Sequence, residues 1–173
     1  MGLVTPVTVR QIEADEWRRL RSIRLEALLD SPESFITLHA EAAGFPDSVW
    51  AERADAGSSG IEQVTMVAID GADTVGMAVG LSRPGIRPGV VPIVSVFVSP
   101  RARRAGVGKS LMGGVERWAR SRSVGMTSLW VVDGNEGARK FYEGLGYVAT
   151  LDRHKISVPP LRWETRLVKN VSG

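Results

Sequence analysis

Two segments of this 173-residue chain carry residue types at spacings suited to chemistry. The first, Arg103-Arg104-Ala105-Gly106-Val107-Gly108, follows the apolar run Val90 to Val98 and leads into a helical pattern. A glycine-rich turn where a strand hands over to a helix is suited to holding phosphate. Glycines let the backbone approach an anion, the first N–H groups of a helix have no intrahelical acceptor, and the helix dipole adds partial positive charge. Arg101, Arg103, Arg104 and Lys109 add full charges that repel one another unless an anion lies near. The second segment, Asn135-Glu136-Gly137-Ala138-Arg139-Lys140-Phe141-Tyr142, follows the apolar run Leu129 to Val132. It places an amide and a phenol on or beside a short helix. From spacing alone Asn135 is a helix cap, and Tyr142 is a core aromatic on one stripe with Phe141 and Leu145.

The stretch Gly106-Val107-Gly108-Lys109-Ser110 looks like the end of a nucleotide-binding P-loop, but that motif needs a further glycine where this chain has Arg103. It also needs a carboxylate at a strand end to hold Mg²⁺, and the one candidate, Asp133, lies at the edge of the second segment.

Taken together, the two segments resemble the GNAT family of N-acetyltransferases. Arg103-x-x-Gly106-x-Gly108 is similar to the family's Arg/Gln-x-x-Gly-x-Gly/Ala acetyl-CoA loop. Asn135-x-x-Ala138-x-x-Phe141-Tyr142-x-x-x-Gly146-Tyr147 is similar to its second motif, and the order of the two is the family's order. The resemblance implies acetyl-CoA as co-substrate. Its pyrophosphate would lie on the turn Arg103, Arg104, Ala105, Gly106, Val107, Gly108, Lys109 and Ser110, and its pantetheine arm along the backbone of Val96, Phe97 and Val98 as an added strand would. Asn135, Ala138 and Phe141 would contact the same arm, and Tyr142 would protonate the departing thiolate. A phenol of pKa about 10 and a thiol of about 8.5 are close enough for that transfer. The general base stays open: ordered water, Glu33, Glu41 or His39. Trp50, Phe35 and His39 fall where the family's variable helical lid binds acceptors.

The elements that must position these segments follow from periodicity. Val7 to Ile12 alternates as a first strand, and Asp15 suits the N-cap of a helix with Trp17, Leu20, Ile23, Ala27 and Leu28 on one face, broken at Ser31-Pro32. Helical stretches are expected over Ser34 to Ala43 and Asp47 to Ala54, then a flexible loop over Ala56 to Gly60. Val64/Met66/Ala68 and Val75/Met77/Val79 alternate around Asp70-Gly71 and predict a hairpin. After a long turn from Arg83 to Gly89, Val90 to Val98 reads as a central strand covered on both faces, with Pro92 near its start or at a bulge. Val107, Leu111, Val115, Trp118 and Ala119 mark the buried face of the next helix, with Glu116, Arg117 and Arg120 assigned to the opposite face. Met126 to Val132 is a strand, Asn135 opens a helix that ends at Gly144 or Gly146, and Tyr147 to Leu151 and Arg162 to Val168 close the sheet. The expected fold is α/β: a mixed, mostly antiparallel twisted sheet flanked by helices, in the order β-α-α-β-β-β-α-β-α-β-β, forming one domain over residues 1–173.

Composition narrows the function classes. Net charge is only +3, yet seven cations fall between Arg101 and Arg122 against one acid, Glu116, so the positive charge is local. The one aromatic within that patch, Trp118, belongs to the buried stripe of the helix, so there is no series of aromatics interleaved with the cations as in single-strand nucleic-acid binding, which disfavours nucleic acid and suits the phosphates of coenzyme A. Without cysteine there is no disulfide, thiolate metal site or thiol nucleophile, and His39 and His154 lack ligand spacing, so no metal is expected. Met1 to Arg10 lacks a signal-peptide layout and no apolar run spans a bilayer, so a cytoplasmic protein without membrane partners is expected. The expected partners are acetyl-CoA and a primary amine of a small molecule or peptide, with a homodimer left open. The alternative is a non-catalytic acyl-CoA-binding module of the same fold.

Overall fold

The computed structural model describes residues 6–157 and 159–172, so the sequence reading of Met1 to Thr5 lies outside it. Its elements are β1 (Thr8–Gln11), α1 (Trp17–Asp30), a 3-10 turn (Pro32–Ser34), α2 (His39–Ala43), α3 (Asp47–Ser59), β2 (Gln63–Asp70), β3 (Asp73–Leu81) and β4 (Val90–Val98). A second 3-10 turn (Pro100–Ala102) leads to α4 (Val107–Ser121), β5 (Met126–Val132), α5 (Glu136–Gly144), β6 (Val148–Ile156) and β7 (Arg162–Asn170). The strands form one seven-stranded sheet in the order β1-β2-β3-β4-β5-β7-β6. Every pairing is antiparallel except β4 with β5.

Alternation places the core on both faces of this sheet. Val64, Met66, Ala68, Val75, Ala78, Val91 and Ile93 face α4 through Leu111, Met112 and Val115, with Leu129 and Leu167 in the same cluster. Val67, Met77 and Phe97 point the other way, against Leu20, Ile23 and Leu28 of α1 and Trp50 and Ala54 of α3. Burying both faces of β2 to β4 explains their near-continuous apolar sequence. The β2–β3 hairpin turns through Gly71-Ala72, with Gly71 at φ +58°.

Several sequence expectations are corrected. The loop expected over Ala56 to Gly60 is the last turn of α3, because Gly57 packs so closely on Thr65 that no side chain would fit, and Gly60 at φ +64° ends the helix. The stretch Ser34 to Ala43 holds only a 3-10 turn and the short α2. Asp15 does not cap α1; Glu16 stands at that position and instead binds Arg10. Strands β6 and β7 both run past their expected ends: β6 continues to Ile156 by pairing with Arg162, and β7 continues to Asn170 by pairing with Met126 of β5.

Two features of β4 shape the site. Its register with β3 passes from Met77↔Phe97 to Val79↔Val94, so β4 carries an extra residue there, and Ser95 sits in the left-handed region at φ +54°. Such a bulge bends and twists a strand away from its neighbour. Pairing with β5 accordingly covers only Val90↔Met126, Val91↔Thr127 and Pro92↔Ser128. Pro92, which has no N–H to donate, stands where that ladder ends. Beyond it the two parallel strands diverge into a wedge whose facing backbone groups have no partner across it among the described residues.

Candidate functional site

At the open end of the wedge the chain leaves β4, makes one 3-10 turn and enters α4. Arg104 at φ +63° and Gly106 at φ +78° turn the backbone sharply before the helix. Among the described residues, no backbone N–H from Arg104 to Lys109 has a protein acceptor, and no side chain caps the helix. The Ser110 N–H is the first returned to the helix, donating to the Gly106 carbonyl at 3.0 Å. Gly106 leaves open space where a side chain would project. The result is a concave set of N–H donors on a helix N-terminus at the carboxyl end of diverging parallel strands, a geometry that receives anionic ligands.

The cations around this turn do not act alike. Arg103 is not turned toward the N–H groups: its Nε donates to the Val98 carbonyl at 2.9 Å and its Nη2 to Asp30 Oδ2 at 2.5 Å. Arg101 is paired with Asp73 at 2.8 Å. Arg104 and Lys109 are exposed and form no ion pair among the described residues, so the free charge resides on those two. In this arrangement Arg103 braces the end of β4 against the end of α1.

Helix α5 closes the site from the β5 side. Asn135 caps it, its Oδ1 accepting from the Ala138 N–H at 3.1 Å, which leaves the amide NH₂ uncommitted. Gly108 lies so near Phe141 that a Cβ would sit 2.9 Å from its Cζ and 3.6 Å from Val98 Cγ2. The ends of β4, α4 and α5 therefore meet at Gly108. Val107 and Tyr142 belong to one buried cluster, with Val96, Val98 and Ala138 packed against it. Phe97 is core on the other face, so only its backbone can serve the wedge. Ala105 and Ser110 are exposed at the rim.

Tyr142 is 9% exposed, with its ring edge-on to Phe141 at 5.1 Å and to Tyr147 at 5.9 Å. Its hydroxyl has no hydrogen-bond partner among the described residues, and it is not one of the polar atoms sealed from the surface. Burial pushes its pKa well above the usual phenol value. It is therefore a proton-bearing hydroxyl with an open bonding position, and the simple match of a phenol near 10 with a thiol does not hold here.

Sequence reasoning placed some residues wrongly and missed others. Glu116, assigned to the outer face of α4, is 7% exposed: it accepts from Lys169 Nζ at 2.9 Å and from the Tyr147 hydroxyl at 3.1 Å, and that hydroxyl also meets Thr127 at 3.0 Å. Trp50, in the stretch that resembles the lid, is a fully buried core aromatic with its ring tilted against Phe45 at 6.0 Å. Glu33 and Glu41 are exposed and His39 half-buried; none makes a side-chain hydrogen bond or ion pair among the described residues, so no contact selects a base. The missed residues are Arg24 and Ser95. Arg24 Nη1 donates to Ser95 Oγ at 3.2 Å, at the bulge where β4 leaves β5. The signal was present: Arg24 lies four residues after Leu20 and four before Leu28, a charge on an apolar helix stripe.

No group of three or more potential metal-ligating His, Asp or Glu side chains occurs among the described residues. Among the same residues no helix is long and apolar enough to cross a membrane.

The family model for the acetyltransferase (GNAT) family matches residues 14–147, and the chain belongs to that family. The fold is shared with solved structures at low identity. A GNAT-family acetyltransferase from Streptococcus pneumoniae superposes with a TM-score of 0.80 at 15% identity, covering 95% of this chain and 99% of that one. YncA from Salmonella typhimurium, solved with its cofactor acetyl-CoA, gives 0.79 at 13% identity, covering 98% and 96%. The PaiA N-acetyltransferase from Thermoplasma acidophilum, in complex with coenzyme A, gives 0.75 at 11% identity, covering 96% and 99%. No curated protein sequence matches the chain significantly.

Proposed function

We propose that this protein is an acetyl-CoA-dependent N-acetyltransferase that transfers the acetyl group directly to a primary amine of a small molecule or peptide. The observation that carries this reading is the run of unpaired N–H groups from Arg104 to Lys109 at the mouth of the β4–β5 wedge. The residues present suit the donor. A pyrophosphate matches the N–H groups with the free cations Arg104 and Lys109, and a chain of amides matches the unpaired backbone of β4 beyond Pro92.

When bound, acetyl-CoA supplies an acetyl group activated as a thioester. The amine nitrogen forms the new C–N bond and loses a proton to water, while the C–S bond breaks and its electron pair stays on sulfur. In this reading, backbone N–H groups of β4 that lack a described partner across the wedge polarise the carbonyl oxygen. The Tyr142 hydroxyl, kept protonated by burial, donates to the sulfur as charge develops there and is reprotonated from solvent.

The test is a thiol-release assay with acetyl-CoA over a panel of amino acids, polyamines, aminoglycosides and peptides, run beside calorimetry with coenzyme A. Coenzyme A binding with acceptor-dependent thiol release supports the enzyme. Binding with no turnover on any amine would favour the non-catalytic module, and absence of coenzyme A binding would remove both.

A further inference from the structure

We propose that the acceptor amine carries a carboxylate, and that Arg24, held at the β4 bulge by Ser95 and Phe35, is the residue that binds it. This rests on the acetyltransferase reading and narrows its substrate class to compounds of the amino-acid type.

The guanidinium of Arg24 is half-buried and forms no ion pair with any described residue. The acids nearest it along α1 are engaged elsewhere: Glu26 accepts from the Ser99 hydroxyl at 2.6 Å, and Asp30 holds Arg103. Its strongest charged neighbour is another cation, Arg53, which together with the larger effect of burial lowers its pKa to about 10. An inward-facing cation without a counter-ion is costly unless a ligand supplies the anion.

The geometry defines what that anion meets. Nη1 is committed to Ser95 Oγ, and the ring of Phe35 lies 4.5 Å from Cζ, fixing the plane of the guanidinium. Nε and Nη2 have no protein acceptor among the described residues, and neither is among the polar atoms sealed from the surface, whereas the Nε atoms of Arg21 and Arg162 are. That free edge is the pair of parallel donors that a planar carboxylate accepts side on. Because Ser95 accepts from Arg24, its own hydroxyl proton is available to the same ligand.

Its position connects the anion to the reaction. Ser95 is the left-handed residue of the bulge, just past the last β4–β5 pair, so Arg24 reaches the wedge from the α1 side, opposite α4. The segment carrying Phe35 is tied across to β7 by Arg162 Nη2, which donates to the Phe35 carbonyl at 2.8 Å. A carboxylate on Arg24 would hold an amine a carbon or two away at the wedge, on the face that the phosphate-binding turn does not use.

The experiment compares matched acceptors: glycine with glycinamide, β-alanine with β-alaninamide, and L-phenylalanine with L-phenylalaninamide. Thiol release is followed with the wild-type protein, Arg24→Gln and Arg24→Lys. The acid should be preferred over its amide by about 10- to 100-fold in kcat/KM, mostly through KM, as expected for a charge-assisted hydrogen-bonded pair. Arg24→Gln should bring each pair to within about twofold while coenzyme A affinity stays unchanged, and Arg24→Lys should restore part of the preference. Amidation leaves more of the amine neutral at a given pH, which works against the expected preference and makes the comparison conservative. Equal rates for acid and amide, or a preference that survives Arg24→Gln, would overturn the assignment and leave the acetyltransferase reading intact. If no amine turns over, that reading fails, and the anion site is decided by calorimetry with the coenzyme A-loaded protein. N-acetylglycine binding more tightly than N-acetylglycinamide only when Arg24 is present upholds the site; equal binding ends it.

Discussion

Replacing Tyr142 with Phe removes one oxygen and nothing else from a well-packed position. The ring keeps its edge-on contacts with Phe141 at 5.1 Å and Tyr147 at 5.9 Å, and the lost hydroxyl has no protein hydrogen bond to forfeit among the described residues. Folding stability should therefore stay within about 1 kcal/mol of wild type, with any change toward greater stability, because a polar group is taken out of a buried setting. Donor binding should also be unchanged by calorimetry. Turnover should fall by about 10²- to 10⁴-fold, a barrier increase of about 2.7–5.5 kcal/mol, if the phenol is the proton donor to sulfur. The pH dependence follows from burial. Because the phenol's pKa is raised, it remains protonated below about pH 10, so the ratio of wild-type to variant rates should be flat across the neutral and mildly alkaline range. The assay is thiol release from pH 6 to 9.5 under conditions where chemistry limits the rate. Full turnover in Tyr142→Phe would show that the residue is only a core aromatic. A ratio that collapses with an apparent pKa near 8 would show that the phenol ionises far below the level its burial sets.

The turn offers a sharper comparison. At Gly106, φ +78° and open space admit Asn or Asp with similar strain, so Gly106→Asp should lose at least about tenfold more coenzyme A affinity than Gly106→Asn, the difference being charge alone. Gly108→Ala should instead act sterically, displacing Phe141 and lowering stability by about 1–3 kcal/mol in urea unfolding. Arg104→Ala should weaken coenzyme A binding about tenfold at low salt, with the difference fading as salt rises, while Arg103→Ala should do less because its guanidinium is already held by Asp30 and Val98. Calorimetry over a range of ionic strength checks the pair, and an equal loss in both variants would mean that Arg103 leaves Asp30 for the ligand. Glu116→Ala should cost about 2–3 kcal/mol, less than the roughly 3–5 of a fully buried pair because Lys169 keeps 25% of its side chain exposed. Urea denaturation measures it, and a loss under about 0.5 kcal/mol would make the network incidental.

The sequence alone determined what depends on neighbours along the chain. The glycine-rich turn before α4 was legible because glycine positions and a strand-to-helix transition are local, and the structure adds that its N–H groups have no acceptor among the described residues. The Asn135 cap and the hairpin at Gly71 were legible for the same reason: the cap reaches three positions along the chain and the hairpin loop holds two residues. The central strand was read from its near-continuous apolar run, interrupted at Ser95, as burial on two faces demands.

Only the tertiary structure decided which charges are spent and which are free. Arg103 and Arg104 are neighbours of the same type, yet Arg103 is bound to Asp30, 73 residues away in sequence, and Arg104 to nothing described. The same holds for Glu116, drawn inside by Lys169 across 53 residues, and for Arg24, whose serine partner lies 71 residues on. The wedge was also beyond the sequence. It arises from a bulge that exists only in the register of β4 against β3, and from a parallel ladder that stops after Pro92. Periodicity reports which face of an element is buried, because that is a property of the element. Counter-ions and strand partings depend on the groups that the folded chain brings alongside, and those come from distant parts of the sequence.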